Sequence, residues 1–189
     1  MKRSEINQLV RDAMDCFQRA SWHLPPNPRW DVTDFGLGDW KHWGLVLVNL
    51  AEQPEYCEKL MYARRGMVTP AHTHGKKKED IICRCGGLRV TVWGGKPDLA
   101  THEAVNVLIN GESRLCLSWE SILLSPGERI TLEPGVWHEF EPTTEECVIG
   151  EVSTANDDLN DNFFANPEIG RFSEIEEDED PLVRLVGDA

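Results

Sequence analysis

The chemistry of this sequence concentrates between Gly66 and Glu79, where His72, His74 and Glu79 fall within eight residues. In a β-strand, side chains two apart project to the same face, so His72 and His74 can present both imidazoles to one point. Gly75 to Lys78 is polar and suits a turn, and Glu79-Asp80-Ile81-Ile82-Cys83 again has strand character. Glu79 would therefore return opposite the histidines and add a carboxylate to two neutral nitrogens. A His-x-His pair alone decides little, because either ring could be hydrogen-bonded in a core or lie on the surface.

The wider spacing decides more. Gly66, five residues, His72, one, His74, four, Glu79, six and Gly86 together resemble the first cupin motif. Further on, Gly127, Gly135 and His138 keep the register of the second motif, which implies His138 as a fourth ligand. Two positions depart from it: Glu133 stands where proline is usual, and Pro142 stands where asparagine is common. Neither would bind a metal. Three imidazoles and a carboxylate leave two adjacent positions open on a six-coordinate ion, and open positions mark catalytic sites. This donor set suits one divalent ion: Mn, Fe, Co, Ni or Zn.

These residues must be held by something, and the rest of the sequence supplies it. Ile6, Leu9, Val10, Ala13, Met14 and Phe17 recur at threes and fours, which predicts a helix over about 4–20, with Ser4 as its cap. Pro25, Pro26 and Pro28 end it and open an irregular stretch through Gly36 and Gly38. From about Trp43, short β-prone runs alternate with Gly, Pro and Asn turns. The expected architecture is all-β: one cupin domain, a double-stranded β-helix or jelly-roll barrel over about 43–153, with the helix packed outside. Residues 154–189 form an extension whose acidic run, Glu174 to Asp180, reads as a solvated segment.

Bulk quantities narrow the function. A chain of 189 residues with 40% hydrophobic content supports one sizeable core. A net charge of -14 repels nucleic acid and anionic membrane surfaces and weighs against phosphorylated substrates, so a small neutral molecule fits better. No run of about 18 apolar residues marks a membrane span or export segment. The six scattered cysteines need no disulfides, which predicts a cytoplasmic protein. Cys83 and Cys85 have no partner pair at zinc spacing and read as small core residues.

Three segments carry a narrower resemblance: His72-Thr73-His74 with Lys77-Lys78-Glu79-Asp80-Ile81-Ile82-Cys83-Arg84, then Glu151 to Asp158, then Arg171 to Glu179. Together they resemble the D-lyxose isomerase family of cupin sugar isomerases. That resemblance implies interconversion of D-lyxose with D-xylulose and of D-mannose with D-fructose, Mn²⁺ as the first choice of metal, and a homodimer. The reaction needs a base that carries a proton between C1 and C2. Glu151 is the first candidate, sharing strand parity with Cys147 and Ile149, and burial would raise its pKa toward the working pH. The opposite face, with Val148 and Val152, is also apolar, so parity alone leaves the choice open. Lys77, two residues before Glu79, would face the same pocket and steady negative charge. Trp137 would border the sugar, and Asp158, Asp161 and Arg171 would grip its hydroxyl groups. A cupin dioxygenase using Fe²⁺ and O₂, or a non-catalytic carbohydrate-binding cupin, would use the same ligands.

Overall fold

The computed structural model describes residues 1–97, 102–154, 157, 160–170 and 174–187. The first element is the helix α1 (Arg3–Arg19), in which Ile6, Leu9, Val10, Ala13 and Phe17 are all buried. It begins one residue earlier than the sequence indicates, and Ser4 is not its cap. The Glu5 carboxylate accepts the Lys2 backbone N–H at 2.9 Å, while Ser4 Oγ donates to Asp178 at 2.7 Å.

After α1 come β1 (Arg29–Thr33), a single turn α2 (Trp40–Trp43), β2 (Leu45–Glu52) and β3 (Tyr56–Arg64). The next strands are β4 (Thr69–Thr73), β5 (Glu79–Cys85), β6 (Leu88–Trp93), β7 (Ala104–Ile109) and β8 (Glu112–Leu117). The last are β9 (Glu120–Leu124), β10 (Arg129–Leu132), β11 (Trp137–Pro142), β12 (Glu146–Thr154) and β13 (Phe163–Phe164). They form an eight-stranded sheet, β1-β2-β3-β12-β5-β10-β7-β8, and a five-stranded sheet, β13-β4-β11-β6-β9. Every pairing among them is antiparallel. This is the expected cupin barrel with a helix outside it, α1 lying against β1, β2, β3 and β12.

Strands begin earlier than the sequence pattern indicates. β1 lies inside the stretch read as irregular, pairs with β2 in the register Trp30↔Val48, and buries Trp30 against Phe17 with ring centroids 6.4 Å apart. Five residues between prolines and glycines are too few for alternation to show without the partner strand. Two motif glycines do conformational work. Gly86 has φ +87°, and a Cβ there would stand 2.4 Å from the Glu146 carbonyl oxygen, so only glycine fits the turn from β5 to β6. Gly135, also at φ +87°, donates its N–H to the His74 carbonyl at 2.7 Å and so ties the approach of β11 to the end of β4.

The acidic run is not simply solvated. Arg3, at 4% side-chain exposure, binds Glu177 through two nitrogens at 2.8 and 2.6 Å. The Ser4 N–H donates to Asp178 at 2.8 Å, and Asn7 donates to Glu179. The first turn of a helix has unpaired N–H groups and a positive dipole end, both of which attract carboxylates.

Candidate active site

Adjacent strands and their turns bring the functional side chains into one cavity. His72 on β4 is the register partner of His138 on β11, which puts the two histidines from distant motifs side by side. His74 follows the end of β4, and Glu79 opens β5. All four are buried, and their ligand atoms lie within 4.8 Å of one another. Glu79 Oε1 stands 2.9 Å from His138 Nε2 and 3.4 Å from His74 Nε2.

Backbone carbonyls fix the rings. Nδ1 donates from His72 to Pro70 O at 2.7 Å, from His74 to Asp161 O at 2.7 Å, and from His138 to Val136 O at 3.2 Å. A carbonyl only accepts, so each ring carries its proton on Nδ1 and turns a bare Nε2 inward, the arrangement seen in ligating histidines. Burial, with His138 and His74 beside it, lowers the His72 pKa well below the usual imidazole range and keeps it neutral. Buried His74 Nε2, His138 Nε2 and Glu79 Oε1 find no hydrogen-bond partner among the described residues. An ion about 2.1 Å from each donor would set neighbouring donors about 3 Å apart and opposite ones about 4.2 Å apart. The four residues fit a divalent cation, which would satisfy the three orphaned atoms.

Beside the cluster lie three buried ion-pair contacts. Lys77 Nζ stands 2.9 Å from Glu79 and 3.0 Å from Glu151, and Lys59 Nζ stands 3.3 Å from Glu151. Burial opposes the Lys77 charge, but Glu151 and Glu79 outweigh it and raise the Lys77 pKa. Burial likewise pushes Glu79 up, yet the Lys77 ammonium beside it holds it well below the ordinary carboxylate range. Glu151 departs from its expected state. Burial does push its carboxyl up, but Lys59 and Lys77 prevail over both burial and the repulsion of Glu79, and the net shift is downward. The sequence shows the burial and not the second lysine. A signal for Lys59 existed: it alternates in phase with buried Cys57 and Met61 along β3.

These groups line a cavity of about 240 Å³ that also takes in Phe35, Phe140, Asn162 and Phe164. At roughly 30 Å³ of liquid volume per molecule, this holds on the order of eight waters, the scale of one small polar ligand. Phe164 lies against His72, ring centroids 5.6 Å apart. A larger groove of about 670 Å³, between α1, the approach to β1 and residues 183–186, has no imidazole or carboxylate in its lining.

Other expected contacts fall elsewhere. Trp137 is not among the residues lining the cavity. It precedes His138 on β11, and alternation along a strand turns consecutive side chains to opposite faces, so Trp137 pairs with Trp93 instead. Asp161 is committed to the protein: its carboxylate accepts the N–H groups of Gly75 at 2.9 Å, Lys76 at 3.0 Å and Lys77 at 2.8 Å. Burial raises its pKa, but these three donors prevail and lower it. Asp161 thus shapes the turn that presents Lys77. Asp158 and Arg171 lie outside the described residues.

A family model for D-lyxose isomerase matches residues 28–189. The chain is 37% identical to a D-lyxose/D-mannose isomerase of Serratia proteamaculans, over 96% of this chain and 94% of that protein. The chain belongs to the D-lyxose isomerase family. A second member, the D-lyxose ketol-isomerase of Cohnella laeviribosi, is 29% identical over 95% of this chain and all of its own length (100%). As a member of the D-lyxose isomerase family the protein is an enzyme, an aldose–ketose sugar isomerase, and its buried His/His/Glu/His cluster is suited to hold a metal. The fold has solved counterparts in L-ribose isomerases. That of Acinetobacter sp. DL28, in complex with L-ribose, superposes with a TM-score of 0.71 at 16% identity, covering 93% of this chain and 98% of that one. That of Cellulomonas parahominis, with L-ribose, gives 0.69 at 14% identity with the same coverage, 93% and 98%.

Proposed function

We propose that the enzyme interconverts D-lyxose with D-xylulose and D-mannose with D-fructose, with Glu151 carrying the proton between C2 and C1. The observation that carries this reading is the meeting of Glu151 and Lys77 at 3.0 Å, in a cavity that His72, His74 and Glu79 of the four-donor cluster also line. His72, His74, Glu79 and His138 would hold the ion, Mn²⁺ first. Bound there, it would polarise the sugar carbonyl. Glu151 is kept ionised by Lys59 and Lys77 and is therefore ready to accept a proton. It takes the proton from C2 of the aldose and returns it at C1, while the hydroxyl proton passes from O2 to O1. Lys77 donates to the substrate oxygen on which negative charge gathers.

The same reading includes a homodimer in the cytoplasm that touches neither nucleic acid nor membrane. The net charge of -14 weighs against nucleic acid and anionic membrane surfaces as partners, and no helix among the described residues is long and apolar enough to cross a membrane.

The test is to strip metal with a chelator, restore Mn²⁺ without oxygen, and follow D-lyxose, D-mannose and D-fructose by chromatography. Activity should vanish and return. Absence of interconversion with every divalent metal would sink the proposal, turnover only with O₂ would point to a dioxygenase, and sugar binding without turnover to a carbohydrate-binding protein.

A further inference from the structure

Asn162 is pinned on both sides to β4 and the turn that follows it, the segment that carries His72 and His74. Before it, the Asp161 carboxylate holds the turn at Gly75, Lys76 and Lys77, and the Asp161 carbonyl receives His74 Nδ1. After it, β13 pairs with β4 in the register Phe163↔Thr73 and Phe164↔His72. The side chain is therefore presented by a fixed backbone. It lines the cavity together with His72, His74, Lys77 and Glu151. Its Oδ1 is buried and has no hydrogen-bond partner among the described residues.

The orphaned atoms of the donor cluster beside it, on His74, Glu79 and His138, are those a cation would satisfy. Asn162 is outside that four-residue cluster, so its oxygen calls for a different partner, a hydrogen-bond donor. The two lysines in the lining are engaged with Glu79 and Glu151. A bound ligand can supply the donor, and on a neutral sugar the donors are hydroxyl groups. We infer that Asn162 is a specificity residue whose amide oxygen accepts a hydrogen bond from one substrate hydroxyl that takes no part in the proton transfer. This rests on the sugar-isomerase reading of the cavity.

The test compares the wild-type holoenzyme with Asn162→Ala on D-lyxose, D-mannose and their monodeoxy analogues, with metal content and thermal melting measured on both. The variant should lose roughly tenfold in kcat/KM on the parent sugar, as expected for one lost neutral hydrogen bond. Wild type should lose a similar factor on one analogue, and Asn162→Ala should show no further loss on that analogue, since the interaction is already gone. Unchanged kcat/KM in the variant, or full retention of its discrimination, would overturn the inference and assign the oxygen to water. So would a wild type that discriminates against no analogue. If the alanine variant does not fold, Asn162→Asp keeps the shape and an acceptor. It should reject the same analogue, and failure to do so would equally overturn the inference. A wild type that isomerises no aldose would instead remove the isomerase reading itself.

Discussion

β5 and β12 run through the barrel as neighbours, and their two ends differ in kind. At one end, the interior faces carry Glu79 and Glu151; at the other they carry Cys83 and Cys147, with Ile81 and Ile149 between. All six side chains are buried. At the thiol end, Cys83 beside it and its own burial push the Cys147 pKa far up, which leaves a protonated, unreactive group. At the carboxylate end, burial acts in the same upward direction, but Lys59 and Lys77 reverse it and keep Glu151 charged. Burial alone therefore does not make a site. What distinguishes the reactive end is a pair of lysines delivered from β3 and from the turn before β5.

The largest expected effect lies at that end. Glu151→Gln keeps the shape and removes the base, so kcat should fall by about 10²–10⁴-fold, with metal content unchanged. Steady-state kinetics and metal analysis check it, and a near-normal rate would erase the distinction between the two ends. Next comes Ile149→Ala, midway along the same face. Its side chain is fully buried, so truncation should cost about 2–5 kcal/mol in denaturant unfolding while kcat changes far less than in Glu151→Gln. A loss of rate as large as that of Glu151→Gln, in protein that remains folded, would mean that chemistry extends below the charged layer.

A third substitution sharpens the role of the lysines. Lys59 is the foremost cationic influence that lowers the Glu151 pKa. Lys59→Met removes it, so burial should carry that pKa upward. Because the base must be ionised, the acidic limb of the kcat/KM profile should move to higher pH. An unmoved limb would show that Glu151 does not set it.

The parts of this arrangement that were legible in the sequence are those fixed by local spacing. His72, His74 and Glu79 sit within eight residues, on β4, the turn after it and the start of β5, and Gly66, Gly75 and Gly86 punctuate the segment. Lys59 shares the phase of Cys57 and Met61, but its meeting with Glu151 depends on β3 pairing with β12, which local spacing does not show. β1 was hidden for a similar reason, since its alternation is too short to read without β2. Asp161 was misassigned because a carboxylate in a polar run does not announce that three backbone N–H groups await it 84 to 86 residues away in sequence. Trp137 was a different error: adjacency in sequence to His138 is, on a strand, an argument for the opposite face.

The acidic run offers a third kind of carboxylate against which the two barrel ends can be measured. Glu177 and Asp178 are also paired, yet they sit at the surface, on the first turn of α1, and no part of the reaction reaches them. If pairing alone made a carboxylate functional, breaking one of these contacts would matter to the rate. Asp178→Ala removes the acceptor for both the Ser4 N–H and its hydroxyl, so it should lower the melting temperature by only about a degree or two and leave kcat/KM unchanged. These Ser4 hydrogen bonds lower the Asp178 pKa, so the stabilisation is present above the ordinary carboxyl pKa and is lost as the pH falls below about 4. The melting difference between wild type and Asp178→Ala should therefore shrink on acidification. A difference that persists in acid would assign the contact to packing, and a fall in kcat/KM would tie the tail to the cavity and make burial a poorer guide to function than the mouth of the barrel implies.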